Sequence, residues 1–133
     1  MLLLGACTTS PQLAQYWPPG ASESIELTAT PFYPQEDYQC GPAVLATLLG
    51  ASGNTVSPEV LVHEIYIPDR QGSLQPELVA AARKRGLVIY RLRPKLDDLL
   101  GQLNSGLPVL ILQNHGIRQL PIWHYAVVVG AER

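Results

Sequence analysis

The sequence predicts one α+β domain in which helices pack on an antiparallel sheet. The chain has 133 residues, of which 47% are hydrophobic and 15% charged, a composition that suits one compact core and argues against disorder. Helical and strand-like patterns both occur, and the predicted helices cluster first while the strands come last. That order favours helices packed on an antiparallel sheet over an alternating array with a parallel sheet.

The domain is expected to begin with a strand and a buried helix. Apolar and polar residues alternate over residues 24–29, which is the pattern of a half-buried strand. The first helix should start right after Cys40, because Pro42 suits the first turn and apolar residues recur at helical spacing up to Gly50. The apolar face of this helix should therefore lie in the core.

Two more helices are predicted from their end signals. One begins at Pro58 with Ser57 as its N-cap, and the next runs from about Pro76 to Gly86. The basic residues 83–85 suit the negative end of a helix dipole. They therefore indicate a capped helix end rather than a binding patch.

The last third of the chain predicts three strands and one helix. Residues 87–92 have the composition of a strand, and leucines at helical spacing over residues 96–103 predict a helix that ends at Gly106. Residues 108–112 and 124–129 are apolar runs typical of buried strands, separated by a loop rich in Asn, Gly and Pro.

The N-terminal residues suggest a membrane anchor. The first seven residues, MLLLGAC, end in a small-residue stretch and a cysteine that resemble the lipobox of bacterial lipoproteins, with Cys7 as the lipid anchor. The apolar run before Cys7 is shorter than a secretory signal requires, so residues 1–7 suggest the remnant of such a signal whose true start lies upstream. The alternative is a frayed apolar terminus with an incidental cysteine.

The predicted anchor implies a domain division and a location. Residues 8–21 are Pro-rich and polar without period, which is typical of a tether, and residues 22–133 form the predicted domain. Lipidation would place the protein in the bacterial cell envelope, facing the periplasm, and Thr8 after the cysteine favours the outer membrane. No other segment has the roughly 20 apolar residues that span a bilayer. Membrane contact is therefore expected only through the lipid anchor.

Charge and spacing limit the classes of function. The formal net charge is -2 and the chain has no basic or acidic block, so no nucleic-acid partner is expected. The histidines, His63, His115 and His124, lack metal-ligand spacing with Cys7 and Cys40. We therefore predict no metal site and no cofactor.

The reactive candidates are Cys40 and His124. A thiolate is the nucleophilic form of cysteine, and the unpaired N–H groups at a helix N-terminus favour a negative sulfur at the position predicted for Cys40. Gly41 beside it would let a substrate backbone approach closely. His124 opens an apolar strand, where an imidazole can reach a substrate. The alternatives are a small core residue for Cys40 and a surface histidine at a strand end for His124.

Four blocks of sequence resemble one family. They are QEDYQCGPAVLATLL (Gln35 to Leu49), GSLQPELVAAARKRGL (Gly72 to Leu87), GLPVLIL (Gly106 to Leu112) and WHYAVVVG (Trp123 to Gly130). In this order they are similar to the C39-type papain-like cysteine peptidases, known from bacteriocin-processing enzymes, and especially to their stand-alone secreted relatives. The resemblance covers roughly residues 30 to 130.

The resemblance implies a papain-like fold and a peptidase site. Cys40, at a helix N-terminus, would be the nucleophile, and His124 the general base and acid. Gln35 resembles the glutamine that donates a hydrogen bond to the oxyanion, although it lies five residues before Cys40 where the family commonly has six. The expected partner is a peptide or protein substrate, and the protein is expected to be a monomer.

The family pattern also has an Asp or Asn that orients the histidine from the segment after its strand. No residue between His124 and Arg133 matches, and Asn114 precedes the histidine. We therefore expect the C-terminal end of the domain to be truncated. The alternative is a catalytically weak or inactive C39-like module that binds peptides.

Further alternatives concern the substrate and the neighbours of the site. Cell-wall amidases of related folds would keep the thiol chemistry, and a Cys7–Cys40 disulfide would remove it. His115 is either part of a substrate groove or only a turn residue. Trp123 is either a subsite wall beside the imidazole or a packing residue.

Overall fold

The computed structural model describes residues 11–35 and 39–133. Within these ranges the helices are α1 (Pro11–Gln15), α2 (Cys40–Ala51), α3 (Pro58–Ile65), α4 (Gln75–Lys84) and α5 (Leu96–Asn104). The strands are β1 (Ser24–Glu26), β2 (Val109–Asn114), β3 (Trp123–Val128) and β4 (Gly130–Glu132). The predicted α+β class is confirmed. None of the helices described is long and apolar enough to cross a membrane.

The strands form two antiparallel pairs. β2 and β3 make a hairpin whose register runs from Val109 opposite Val128 to Asn114 opposite Trp123. β1 pairs with β4, and Leu27 N donates a hydrogen bond to the carbonyl oxygen of Val129 at 2.8 Å. The chain therefore passes from one ladder to the other through a single residue between β3 and β4, a connection that the sequence did not predict.

Two apolar clusters hold these elements together. The larger one lies where α2, α3 and α4 meet β3. Its fully buried side chains are Val44, Leu45, Ala46, Leu49, Leu61, Ile65, Leu78, Ala81, Ala82 and Tyr125. The smaller cluster joins α5 to the N-terminal residues through Trp17, Ile25, Leu100 and Leu103. Helix α2 is thus buried on nearly all sides, and α5 buries Leu100 and Leu103 of its predicted leucine face.

Helix α2 ends at Ala51, one residue later than the sequence suggested. Gly50, expected to end the helix, lies inside it, where Pro31 Cγ is 2.5 Å from the position a Cβ would take. The chain turns at Gly53, which has a φ of +85°. Asn54 N then donates to Leu49 O at 2.8 Å, as in a helix end closed by a left-handed glycine.

The strand predicted over residues 87–92 is wrong. This segment pairs with no strand among the described residues. Its side chains do alternate, since Leu87 and Ile89 pack on the larger cluster whereas Val88 and Tyr90 are 73% and 81% exposed. The alternation indicates that one face of the segment is buried. A β-ladder also needs a neighbouring strand, which the alternation of a single segment cannot reveal.

The N-terminal residues differ from the predicted tether. Residues 11–21 include α1, and Trp17 is buried against Leu100 and Leu103 of α5. Its indole Nε1–H donates to the Ser22 carbonyl oxygen at 3.0 Å, so the buried ring has its polar group satisfied. Trp17, together with the partly buried Leu13 and Ala21, therefore packs on the domain. The lipid-anchor prediction at Cys7 and the start of the tether fall outside the described residues.

A surface ion pair joins α3 to the end of α4. The guanidinium of Arg85 donates to both carboxylate oxygens of Glu64, at 2.6 and 3.0 Å, and also to Ala81 O at 3.0 Å. These hydrogen bonds, with the positive charge behind them, lower the pKa of Glu64 below its ordinary value. Arg85 thus links two helices, a contact that the dipole argument for residues 83–85 did not include.

Glu64→Gln is expected to lower the free energy of unfolding at neutral pH by at most about 1 kcal/mol, the range of solvent-exposed pairs. Because the folded pKa of Glu64 lies below its unfolded value, the stabilisation is complete above the unfolded pKa and is lost as pH falls through the folded one. The difference in Tm between the two proteins should therefore shrink in acid. A difference that stays constant from pH 7 to pH 3 contradicts this assignment, and Arg83→Gln serves as the charge control.

Candidate active site

Cys40 is the first residue of α2. Its side chain is half-buried and packs against the larger apolar cluster. Ala43 N donates to Gln39 O at 3.3 Å, and Pro42 has no N–H, so the free donors of this helix end are close to Cys40. The Cys40 sulfur therefore lies at the positive end of the dipole of a twelve-residue helix.

The β2–β3 hairpin supplies His124. This residue lies second in β3, is half-buried, and stands opposite Gln113 of β2 in the ladder. The next residue, Tyr125, is 5% exposed and belongs to the larger cluster with the α2 side chains. The buried part of β3 thus holds the start of the strand beside α2.

Most of the predicted site residues line one cleft of about 820 Å³. It is lined by Gln35, Cys40, residues 70–76, Leu112, His115 and residues 122–125. The structure therefore brings Cys40, His124 and Gln35 to one concave surface. Cys40 is a free thiol, and no hydrogen bond joins it to His124 in the part of the chain that the structure describes. Contacts of this kind often tighten only when substrate binds.

Tyr125 lines the same cleft as Cys40 and His124. Its pKa is raised above 10.0, first because burial disfavours the phenolate, then because of the negative charges that Cys40 and Glu77 can carry. One carboxylate oxygen of Glu77 is buried without a hydrogen-bond partner. The phenol therefore stays neutral near pH 7.

Gly41 faces protein rather than solvent. It is buried, and a Cβ built on it would lie 2.5 Å from Ser73 Oγ and 2.6 Å from Ser73 Cβ. The expectation that Gly41 makes room for a substrate backbone is therefore wrong. The missing side chain instead lets the wall of the cleft around Ser73 pack against α2, with the serine hydroxyl buried and unpartnered.

That wall is a tight turn between α3 and α4. Ile67 N donates to Gly72 O at 2.8 Å, and Gln71 N donates to Pro68 O at 3.0 Å. Gln71 adopts a left-handed conformation with a φ of 47°, which is uncommon for a residue other than glycine. The close pairing of Ile67 with Gly72 defines where Ser73 meets α2.

The opposite wall is the loop that joins β2 to β3. Asn114 Oδ1 accepts hydrogen bonds from Gly116 N and Ile122 N, both at 2.9 Å. His115 N donates to Ile122 O at 2.8 Å. Asn114, which the family pattern excluded as the orienting residue of the histidine, therefore shapes this loop.

His115 and Trp123 both belong to the cleft. The ring centroids of His115 and His124 are 5.0 Å apart, with an interplanar angle of 33°. His115 Nε2 lies 3.0 Å from Gln113 Oε1. Trp123 is 60% exposed and lines the cleft, so it forms a wall and not a packing contact.

Sequence reasoning gave no role to Ser73, Gln113 or Tyr125. The burial of Tyr125 could have been predicted from the sequence, because its neighbour His124 was placed at a strand start and alternation buries every second residue. Gln113 becomes a neighbour of His124 only once the hairpin register is known. Ser73 carries no local signal at all, since its contact with Gly41 depends on how the turn between α3 and α4 meets the start of α2.

Among residues 11–35 and 39–133, no group of three or more His, Cys, Asp or Glu side chains is placed to hold a metal ion. The histidine pair therefore has no third ligand of these types within that part of the chain.

Comparison with known proteins gives one result. A sequence model of the Peptidase C39 family matches residues 30–133, a range that contains all the residues lining the cleft. The chain matches none of the curated proteins and none of the solved structures with which it was compared.

Proposed function

The chain belongs to the Peptidase C39 family, and from that premise we propose that it is a cysteine peptidase that cleaves peptide bonds with Cys40 and His124. The observation that carries this proposal is the shared cleft. It joins the thiol at the N-terminus of α2 to the imidazole at the start of β3. A helix end and an imidazole are the two features that most often favour a thiolate over a thiol.

Catalysis would follow the two-step course of thiol hydrolases. The Cys40 thiolate attacks the scissile carbonyl carbon, a C–S bond forms, and the π electron pair moves to the oxygen. Collapse of this intermediate breaks the C–N bond while the His124 imidazolium gives its proton to the leaving amine. His124 then takes a proton from water, the hydroxide attacks the thioester, and the C–S bond breaks to release the acid.

Gln35 would complete the site as an oxyanion donor. It lines the same cleft as Cys40 and is exposed, so its amide is accessible to a bound carbonyl. Together with the Cys40 backbone N–H it would donate to the oxygen on which negative charge develops. Loss of one such donor costs about 3 kcal/mol of transition-state stabilisation in other hydrolases.

The proposal is tested by the reactivity of the thiol. His124→Ala should slow alkylation of Cys40 by iodoacetamide at pH 6 to 7 by about tenfold or more, because the positive partner of the thiolate is removed. The rate is measured by mass spectrometry of the peptide that contains Cys40, which separates it from Cys7. His63→Ala, on the exposed face of α3, is the matched control. An unchanged rate in His124→Ala would contradict the proposal.

A binding module without turnover is the second candidate. It is favoured by the absence of a hydrogen bond between Cys40 and His124 in the described residues, and by the apolar side chains of Ile122 and Trp123 at the cleft, each 60% exposed. Peptide binding that survives substitution of Cys40, with no cleavage by the unaltered protein, would support this alternative. The lipid anchor at Cys7 stays a prediction from the sequence.

A further inference from the structure

The imidazole of His124 has a second imidazole as its ring neighbour. The two centroids are 5.0 Å apart and the planes are tilted by 33°, which lies within the range of attractive aromatic pairs. The χ2 torsion of histidine has only broad preferences, so the side chain by itself does not fix which ring nitrogen faces a partner. Contact with His115 restricts that rotation.

His115 is held in turn by Gln113. The distance from His115 Nε2 to Gln113 Oε1 is 3.0 Å. Because an amide oxygen only accepts, the proton in this contact is on Nε2 of His115. Gln113 also stands directly opposite His124 in the hairpin, so the side chains of this cross-strand pair share one face. The amide and the two rings therefore form one connected group.

The backbone that carries His115 is fixed at both ends. His115 N donates to Ile122 O, and Asn114 Oδ1 binds the N–H groups of Gly116 and Ile122 across the loop. A Cβ on Gly116 would clash with the backbone oxygen of Leu120, so only glycine allows this close return of the chain. The backbone position of His115 is thus set by hydrogen bonds within the loop.

We propose that His115 is a positioning residue that holds the His124 imidazole in the orientation needed for proton exchange with Cys40. This inference rests on the proposed peptidase function. His115 is exposed, so it contributes little to the core. The proposed role of His115 depends on its contact with His124. Removing the His115 side chain should therefore change the reactivity of Cys40 more than it changes the stability of the fold.

The experiment compares four proteins by the rate of Cys40 alkylation with iodoacetamide. His115→Ala should react about 3- to 10-fold more slowly than the unaltered protein, the range expected from losing one aromatic pair. His115→Phe keeps a ring beside His124 and should recover most of the rate. Gln119→Ala, an exposed change in the same loop, should have no effect, and all variants should keep the same Tm.

A double-mutant cycle separates positioning from a direct effect of His115. If His115 acts through His124, His115→Ala should cause no further loss in a His124→Ala background. Equal losses in both backgrounds would overturn the inference, as would an unchanged rate in His115→Ala when His124→Ala is slow. If His124→Ala itself reacts normally, it is the proposed peptidase mechanism that fails, so the two failures are distinguishable.

Discussion

Cys40→Ala is expected to abolish peptide hydrolysis, with a loss of about a thousandfold or more in kcat, the scale seen when hydrolases lose their nucleophile. The reason is that the sulfur is the atom that forms the thioester, and no other thiol lines the cleft described here. Hydrolysis is measured by mass spectrometry of a mixed peptide library incubated with each protein, since the cleavage preference is read from the same data.

Two controls distinguish loss of the nucleophile from loss of the fold. Cys40 is only partly buried, so alanine removes little apolar contact from the larger cluster, and the Tm should fall by no more than a few degrees. Cys40→Ser preserves the shape of the side chain but replaces the thiol by a much weaker acid, and should be as inactive as the alanine variant. Cleavage that persists in both variants would assign the activity to other residues.

The helices could be predicted because their signals are local. The starts of α2 and α3 follow from Pro42 and Pro58, and the leucine spacing within α5 identified its buried face. The strands were harder to predict from the sequence. Residues 87–92 have the alternation of a strand but no partner strand in the described part of the chain, whereas β4 is three residues long and exists through pairing with β1. Pairing between distant segments is not written in either segment alone.

The N-terminal segment shows the same limit. Proline content and missing periodicity suggested a tether, yet one large aromatic residue, Trp17, is buried in a cluster with Leu100 and Leu103 of α5. Burial of a single indole can outweigh the local preference of a short polar stretch, because its apolar area is among the largest of any side chain. Local composition reports the average of the segment and misses such an anchor.

The residues of the candidate site also differ in whether the sequence predicts them. Cys40 and His124 were identified by their positions at the starts of elements and by the blocks that surround them in sequence. Their neighbours Ser73 and Gln113 were not, since these residues reach the site through loop closure and strand register. Gly41 shows the same limit. The sequence reveals that it lacks a side chain, but whether that space serves substrate or packing depends on the residue that lies opposite, which is Ser73.

Gly41→Ala is accordingly expected to lower the free energy of unfolding by about 1–3 kcal/mol, as overpacking in an interior does. Two effects compete, because alanine has a helix propensity better than glycine by up to about 1 kcal/mol. Gly41 lies in the first turn, where this gain is smallest, and the new Cβ would meet Ser73 at 2.5 and 2.6 Å. The clash should therefore dominate. Denaturant unfolding at neutral pH measures the change.

A second substitution identifies the clash as the cause. Ser73→Gly removes both close atoms, and the remaining contact of the new methyl, Leu78 Cδ1 at 3.6 Å, is an ordinary one. Gly41→Ala combined with Ser73→Gly should thus be more stable than the sum of the single changes predicts. Ser73→Ala keeps the Cβ at 2.6 Å and should rescue less, although it removes an unpartnered hydroxyl. Equal rescue by both would mean that the hydroxyl alone limits the approach of this wall to α2.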